Sequence, residues 1–484
     1  MKKILLLITP LILFSSETLQ NRVLTLEKKL KELTKEITLH QEDLDERMPI
    51  IEKVEKKAIL DKLNFSPELM LRFDKMSYHT GKIDGENSKI YDKSIASLDG
   101  LQRRDEYSKE FDIATDIRIR LNMNANLDKN TKFNGRMVFT TSSQSNQRLC
   151  ILSRDIKSAE SSSAFDIDRA YIDYTLSKYS DYAFTFSFGL LPTTGGTPMQ
   201  YAQNTSRKSM FPALVFDMNS YGMIATQKLG NNSYIRAIIA KAYTMRASFY
   251  PYQCNRENID NANIFGLYSD IKLSLFKKSL LSFGVNLLND FKAHPYLGPD
   301  ISSKDAHNLG NIITFGLGLD IEEIAKTDLT FFLHSALSHP KGNSEVDDYQ
   351  IIGDVSQGLT SSSKVGFSEA SYAKGSMISS NGYALYLGTK YNFNSDINVG
   401  VEYNYGSKYW FSATQGAEDI YNKLATRGYV AEIYSGWNFH KNLYAKLGFI
   451  HIQENYTGSG WHFGEPATKD AQQTISYLDI EAKF

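Results

Sequence analysis

Charged side chains recur at every second position along several apolar stretches of this 484-residue sequence. The clearest case is FDIATDIRIRLNMNANL, residues 111 to 127, where Asp116, Arg118 and Arg120 alternate with an apolar set that begins at Phe111 and Ile113. Residues that alternate in this way lie on opposite faces of a β-strand. The chemistry expected of such a row is electrostatic, because fixed charges along a wet wall attract, repel or orient solutes.

The sign of these inward charges changes along the chain. Early strands are expected to project four arginines inward, Arg118, Arg120, Arg136 and Arg169, with Asp116 among them. Later strands are expected to project the carboxylates Asp320, Glu402, Glu432 and Glu481. If the later strands form the opposite wall, the two rows create a transverse field that orients dipolar solutes. The alternative is that these are solvated wall charges with local partners, for example Arg118 with Asp116.

Motifs for enzymatic chemistry are absent from the sequence. It has no Gly-rich phosphate loop, zinc-type His pair or nucleophile elbow. The 9 histidines are scattered, and no Ser, His and acid set of a barrel-borne lipase or protease stands out. We therefore expect no enzyme, no cofactor and no metal site. The net charge of -1 argues against a nucleic-acid surface.

Strands positioned by this alternation fill the chain from Leu63 onward. Short connections such as LDKNT at Leu127 and NSD at Asn394 alternate with long ones, such as residues 191 to 219, and predict about sixteen antiparallel strands. Such a rhythm is typical of an up-and-down transmembrane β-barrel with apolar residues facing lipid and polar ones facing a lumen. A single strand of this kind would fit a soluble sandwich equally well.

The N-terminus carries two further patterns. Lys2 and Lys3 precede an apolar run from Ile4 to Phe14, which predicts a signal peptide over residues 1–16. Apolar residues then recur in a heptad seam that includes Val23, Leu30 and Ile37 and ends near Pro49. We expect a periplasmic coiled coil and linker over residues 17–62 and the barrel over 63–484; the alternative for the seam is a helix packed on its own domain.

The last strand, QTISYLDIEAKF, alternates strictly and ends on Phe484. It resembles the assembly signal of bacterial outer-membrane barrels. The segments LNFSPELMLRFD, DRAYIDYTLSK and GLLPTTGGTP are similar to parts of uncharacterised putative porins with coiled-coil starts. The resemblance to outer-membrane porins implies a homotrimer in outer-membrane lipid. It also implies that the third long loop, residues 191 to 217 with Arg207 and Lys208, folds into the lumen as a constriction, although an ordinary surface loop is the alternative.

Cysteines number only 2 and lie far apart in expected outer loops. Cys150 falls in the second long loop and Cys254 in the fourth. Since both loops are expected outside the cell, we predict a disulfide between them.

The function expected from these patterns is that of an outer-membrane porin, a passive water-filled channel for small hydrophilic solutes or ions. Vitamin and siderophore transporters are excluded because they need about 22 strands and a plug. Residues 19 to 48 are expected to join the protomers in the periplasm and to extend toward the peptidoglycan. The alternative is an envelope anchor with a closed lumen, which tethers the membrane to the cell wall through the coiled coil.

Overall fold

A computed structural model describes one long helix near the N-terminus and a closed β-sheet. The chain divides into two units, Met1–Leu63 and Asn64–Phe484. Residues 23–39 form the helix, and the single residues 21, 41 and 48 are also described. No described helix is both long and apolar enough to cross a membrane. In the rest of the chain the described residues are 63–81, 106–143, 163–193, 195–207, 209–241, 263–273, 279–293, 307–324, 327–342, 378, 380–414, 419–456, 459, 466 and 468–484.

The sheet contains seventeen strand segments in chain order. They are β1 Leu63–Thr80, β2 Tyr107–Glu110, β3 Ala114–Asn126, β4 Thr131–Ser142, β5 Ser163–Leu176, β6 Phe184–Pro192, β7 Asn219–Leu229, β8 Ser233–Lys241, β9 Asn263–Leu273, β10 Ser279–Ala293, β11 His307–Ile321, β12 Leu329–Gly342, β13 Gly382–Asn392, β14 Ile397–Gly406, β15 Gly428–His440, β16 Leu443–Tyr456 and β17 Thr468–Lys483.

The sheet closes on itself where β1 pairs antiparallel with β17. This pairing runs without a shift from Glu68 opposite Lys483 to Thr80 opposite Ala471. Strands β2 and β3 both pair with β1, so they act as one wall strand that is interrupted at residues 111–113. The seventeen segments therefore make a 16-strand antiparallel barrel, which confirms the expected fold class.

The interruption between β2 and β3 changes the position of Phe111. Its backbone N–H donates to the Met76 carbonyl at 2.9 Å, and its ring packs in an interior cluster with Tyr421 and Ile450. Phe111 is only 6% exposed, whereas Ile113 is 69% exposed. The expectation that Phe111 faces lipid was therefore wrong, because the two-residue period does not continue through a break in the strand.

The two faces of the wall differ in polarity along unbroken strands. On β12, Leu333 and Leu337 point outward and are exposed, while Phe332, His334 and Ala336 point inward and are buried. Ile433 on β15 and Leu447 on β16 are likewise outward and exposed. An apolar outer surface suits lipid, because a charged side chain at the bilayer midplane costs about 2 to 4 kcal/mol.

Short turns are held by side chains that accept backbone hydrogen bonds. Asp128 accepts from the N–H groups of Asn130 at 2.7 Å and Thr131 at 2.9 Å, and Asn394 accepts from Asp396 and Ile397, both at 2.8 Å. Hydrogen bonds from Asn130 and Thr131 lower the pKa of Asp128. Both turns lie where short connections were expected.

Inward aromatic rings lie against glycines of the neighbouring strand. A Cβ added at Gly448 would lie 2.3 Å from Tyr477 Cζ, and one at Gly284 would lie 2.7 Å from Tyr268 Cδ1. Each glycine is the direct cross-strand partner of its aromatic residue. The missing side chain leaves the space in which the ring lies along the wall.

Replacing Gly448 tests this contact. The change Gly448→Ala should lower the free energy of unfolding by about 1 to 3 kcal/mol, because the added methyl group overpacks against Tyr477. Urea unfolding of the detergent-solubilised protein, followed by tryptophan fluorescence, measures the loss. In a Tyr477→Ala background the same change should cost less, and an equal cost in both backgrounds would contradict the contact.

Candidate functional site

The four arginines expected to line the lumen lie together on three adjoining strands. Arg118 and Arg120 are on β3, Arg136 is on β4, and Arg169 is on β5 directly opposite Arg136. Arg120 and Arg136 are 3% and 2% exposed. Asp116 lies on the same face of β3 and is half-buried.

Local partners hold these arginines. Arg136 Nε donates to both carboxylate oxygens of Asp168, at 2.7 and 2.9 Å, and Arg136 Nη2 contacts the same carboxylate. Arg120 Nη1 lies 3.9 Å from Glu68 Oε2, and Arg118 Nη2 lies 3.2 Å from Met70 Sδ. Sequence reasoning missed Asp168 because it is the extra residue of a β-bulge, where the register shifts between Arg136 and Met137.

The four later carboxylates are spread around the ring. Asp320 on β11 lies across the barrel from β3, and Glu402 and Glu432 lie on the paired strands β14 and β15, opposite each other in register. Glu481 is on β17, which adjoins β1. The expectation of an opposite wall was therefore wrong for Glu481, because closure brings the last strand back beside the first.

Each of these carboxylates also has a donor nearby. Asp320 accepts from Thr197 at 2.5 Å, and Glu402 accepts from Tyr386 at 2.7 Å. Glu432 accepts from Lys446 at 3.3 Å and also contacts Lys423 and Tyr477, while Glu481 lies 2.5 Å from Lys483. The inward charges are thus distributed as local pairs as well as rows.

The described residues of the connection between β6 and β7 lie inside the barrel, and we name these residues, 191–193, 195–207 and 209–217, the first lumenal segment. Its Met199–Ala202 helical turn and its Ala213–Phe216 stretch are buried. A Cβ added at the inward Gly316 of β11 would lie 2.1 Å from Val215 Cγ2. The segment therefore lies against the inner wall rather than on the outer surface.

Aromatic and polar contacts fix this segment to strands β9 to β13. Phe211 packs edge-on against Tyr268 at 4.8 Å, and Tyr201 stacks on Phe332 at 5.6 Å. Burial, followed by the charges of Asp320 and Glu322, raises the pKa of Tyr201.

Charged and amide groups add to this attachment. Arg207 Nη2 lies 3.4 Å from Asp270 Oδ2, and Lys390 donates to Asn204 at 2.7 Å. Lys208 lies outside the described residues. Arg207, one of the two cations expected in the constriction loop, therefore lies against the wall.

The described residues of the connection between β14 and β15 also lie inside the barrel, and we name these residues, 407–414 and 419–427, the second lumenal segment. Trp410, Phe411 and Arg427 are fully buried within it. Trp410 Nε1 donates to the Leu424 carbonyl at 2.9 Å, and Arg427 Nε donates to the Trp410 carbonyl at 2.8 Å. These bonds tie the two limbs of the segment together.

Sequence reasoning did not single out the second lumenal segment. A signal was nevertheless present, since Tyr409, Trp410 and Phe411 stand in a row within that connection. Adjacent large aromatic side chains in a loop indicate that the loop is packed against protein.

The two lumenal segments meet. The Asp217 backbone N–H donates to the Ala413 carbonyl at 3.2 Å, and Asp217 forms a parallel bridge with Thr414. Two connections that are distant in sequence therefore contact each other inside the described barrel.

The remaining predicted residues have different outcomes. Phe484 is 68% exposed at the end of β17, where its N–H donates to the Pro67 carbonyl at 3.1 Å, and its role in assembly stays a prediction. Cys150 and Cys254 lie outside the described residues, so their disulfide also stays a prediction. Within the described residues no group of three His, Cys, Asp or Glu side chains could hold a metal ion.

A closed 16-strand wall whose unbroken strands carry apolar residues outside and charged residues inside is the architecture of a transmembrane β-barrel. This chain belongs to the family described as protein of unknown function (DUF3373), which matches residues 108–480. No curated protein matches the sequence.

Solved outer-membrane proteins are similar to this chain at low identity. The structure of OprB from Pseudomonas putida at high pH has 11% identity and a TM-score of 0.45, with 89% of this chain and 96% of that chain covered. A Salmonella typhi OmpF complex with daunomycin has 9% identity and a TM-score of 0.45, covering 87% and 97%. The outer-membrane channel DcaP of Acinetobacter baumannii has 11% identity and a TM-score of 0.42, covering 88% and 98%.

A cysteine pair tests the position of the first lumenal segment. Val215 Cβ lies 3.6 Å from an ideal Cβ at Gly316, within the range of a disulfide. In a background in which Cys150 and Cys254 are serine, Val215→Cys with Gly316→Cys should form a disulfide that mass spectrometry detects. Pairing Val215→Cys with Leu317→Cys is the control, because Leu317 is 52% exposed on the outer face. Bonding of the control pair alone would contradict the placement.

Proposed function

We propose that this protein is a porin that forms a passive, water-filled channel through the outer membrane for small hydrophilic solutes or ions. The observation that carries this proposal is the contrast between the two faces of a closed 16-strand wall. Barrels of about this size leave an aqueous channel when their interior is polar. The exported, apolar-faced barrel expected from the sequence supports the outer membrane as its location.

The distribution of inward charge favours a hydrated interior. Many ionisable groups line the inner face, and a dry protein core would make each of them costly even when paired. Arg118 and Arg169 on β3 and β5 keep partial exposure, as does Glu481 on β17, whereas Asp320, Glu402 and Glu432 are buried. We place the solute path beside the arginine-bearing strands β3 to β5.

Self-association is the second part of the proposal. In the helix at 23–39, the apolar seam stays exposed, with Leu26 at 65%, Leu30 at 69% and Ile37 at 59%. An uncovered heptad stripe of this kind favours pairing with copies of itself. We propose a homotrimer whose coiled coil lies in the periplasm and reaches toward the peptidoglycan.

The envelope anchor is the second candidate function, and the same exposed seam favours it. Deleting residues 19 to 48 distinguishes the two. For a porin, the deletion should leave single-channel conductance intact while it weakens the trimer in analytical ultracentrifugation. An intact protein that binds peptidoglycan through the helix and never conducts would establish the anchor instead.

Single-channel recording in a planar bilayer tests the channel directly. Folded protein should give stepwise openings in groups of three. Silence from protein that is folded by circular dichroism would make the channel proposal wrong. We also propose that the protein is not an enzyme, which hydrolysis of solubilised lipid or peptide substrates by the wild type would contradict.

The charge of the solute path is tested by replacing Arg118. The change Arg118→Gln removes one positive charge from a partly exposed position, so the reversal potential under a salt gradient should shift toward cation selectivity. Asp116→Asn, two residues away on the same face, should shift it in the opposite direction. Equal reversal potentials for both variants and the wild type would place the path elsewhere.

A further inference from the structure

The second lumenal segment is fixed by ionic contacts to the wall strands that flank it. Lys423 is 6% exposed, and its Nζ lies 3.2 Å from Glu402 Oε2 on β14 and also contacts Glu432 on β15. Burial alone would lower the pKa of Lys423, but the carboxylates of Glu432, Glu402 and Asp419 raise it above its ordinary value.

The same segment reaches much further around the ring. Tyr421 Oη donates to Asp74 Oδ2 on β1 at 2.6 Å, and the Arg72 guanidinium lies 4.9 Å from the Tyr421 ring centre. Since β16 and β17 separate β15 from β1, the segment spans the inner side of both strands. The second lumenal segment therefore covers the inner side of β16, β17 and β1. None of the contacts described above for the first lumenal segment involves these three strands.

The two segments cover overlapping parts of the inner wall. The first lumenal segment packs on β9 to β13 through Tyr268, Phe332 and Lys390, and its Asn204 reaches Asn438 on β15. The second bonds to β14, β15 and β1, and the Phe411 N–H donates to Ser338 on β12. They join at Asp217 and Ala413.

We infer that the second lumenal segment is a size-determining element of the channel, and that it acts through its attachment at Lys423 and Tyr421. This inference rests on the proposed channel function. The hydrogen bonds of Trp410 and Arg427 join the two described limbs of the segment, so both limbs depend on these attachments.

Weakening the attachment should widen the channel. The variants Lys423→Met and Tyr421→Phe are compared with wild type by single-channel conductance and by the largest polyethylene glycol that enters and lowers that conductance. Both variants should conduct more than wild type and admit larger polymers, with the greater shift in Lys423→Met. Lys423→Met leaves Glu402 and Glu432 without their lysine partner, and this variant could fail to fold. Tyr421→Phe removes only one hydroxyl group, so the test can still be made with that variant.

The matched control is Lys228→Met, which removes another lysine from an ion pair. Lys228 Nζ lies 3.3 Å from Asp181 at a short turn, and its described side-chain hydrogen bonds go to Ser180 and Asp181, outside both lumenal segments. Its conductance and polymer limit should equal those of wild type.

The outcomes separate this inference from the proposed function. A conducting wild type whose conductance and polymer limit are unchanged in both attachment variants would overturn the inference and leave the channel in place. If the wild type does not conduct but the attachment variants do, the inference is supported, and the wild-type protein is a channel that this segment closes. Silence in all folded variants would overturn both.

Discussion

Pairing of the first strand with the last is the constraint on which the rest of the barrel depends. Backbone N–H and carbonyl groups find no water in hydrocarbon, so a sheet in a membrane must leave no edge. The unshifted pairing of β1 with β17 over Glu68 to Thr80 satisfies this requirement. The same pairing sets which inward charges become neighbours, and it brings Asp479 of β17 within 3.1 Å of Arg72 on β1.

Closure confines the inward charges to one compartment, and their arrangement follows from the cost of burying them. A carboxylate that is out of water needs several donors if it is to stay ionised. Glu432 receives them from three elements: Lys446 on β16, Tyr477 on β17 and Lys423 from the second lumenal segment. The inserted chain therefore supplies charge as well as volume, and the wall and its contents depend on each other.

Much of the wall could be predicted from the sequence, because a period of two residues is a direct consequence of strand geometry. This period, together with the alternation of short and long connections, predicted the number of strands. It also predicted that Arg120, Arg136 and Glu402 point inward. The period fails where the backbone departs from it, as at the break that turns Phe111 inward and at the bulge that brings Asp168 to Arg136. The position of Glu481 beside the first strand follows from closure of the ring, and the position of the second lumenal segment follows from tertiary contacts. Neither can be predicted from the alternation of apolar and polar residues.

The aromatic rings that lie on glycines of the next strand restrict which substitutions the wall can accept during evolution. Gly400 and Tyr434, like Gly448 and Tyr477, occupy one volume jointly, since a Cβ at either glycine would lie within 2.4 Å of the partner ring. Neither member of a pair can be exchanged freely while the other is kept. In the course of divergence these positions should accordingly be inherited as pairs, with glycine retained opposite an aromatic residue and released only when the ring is lost.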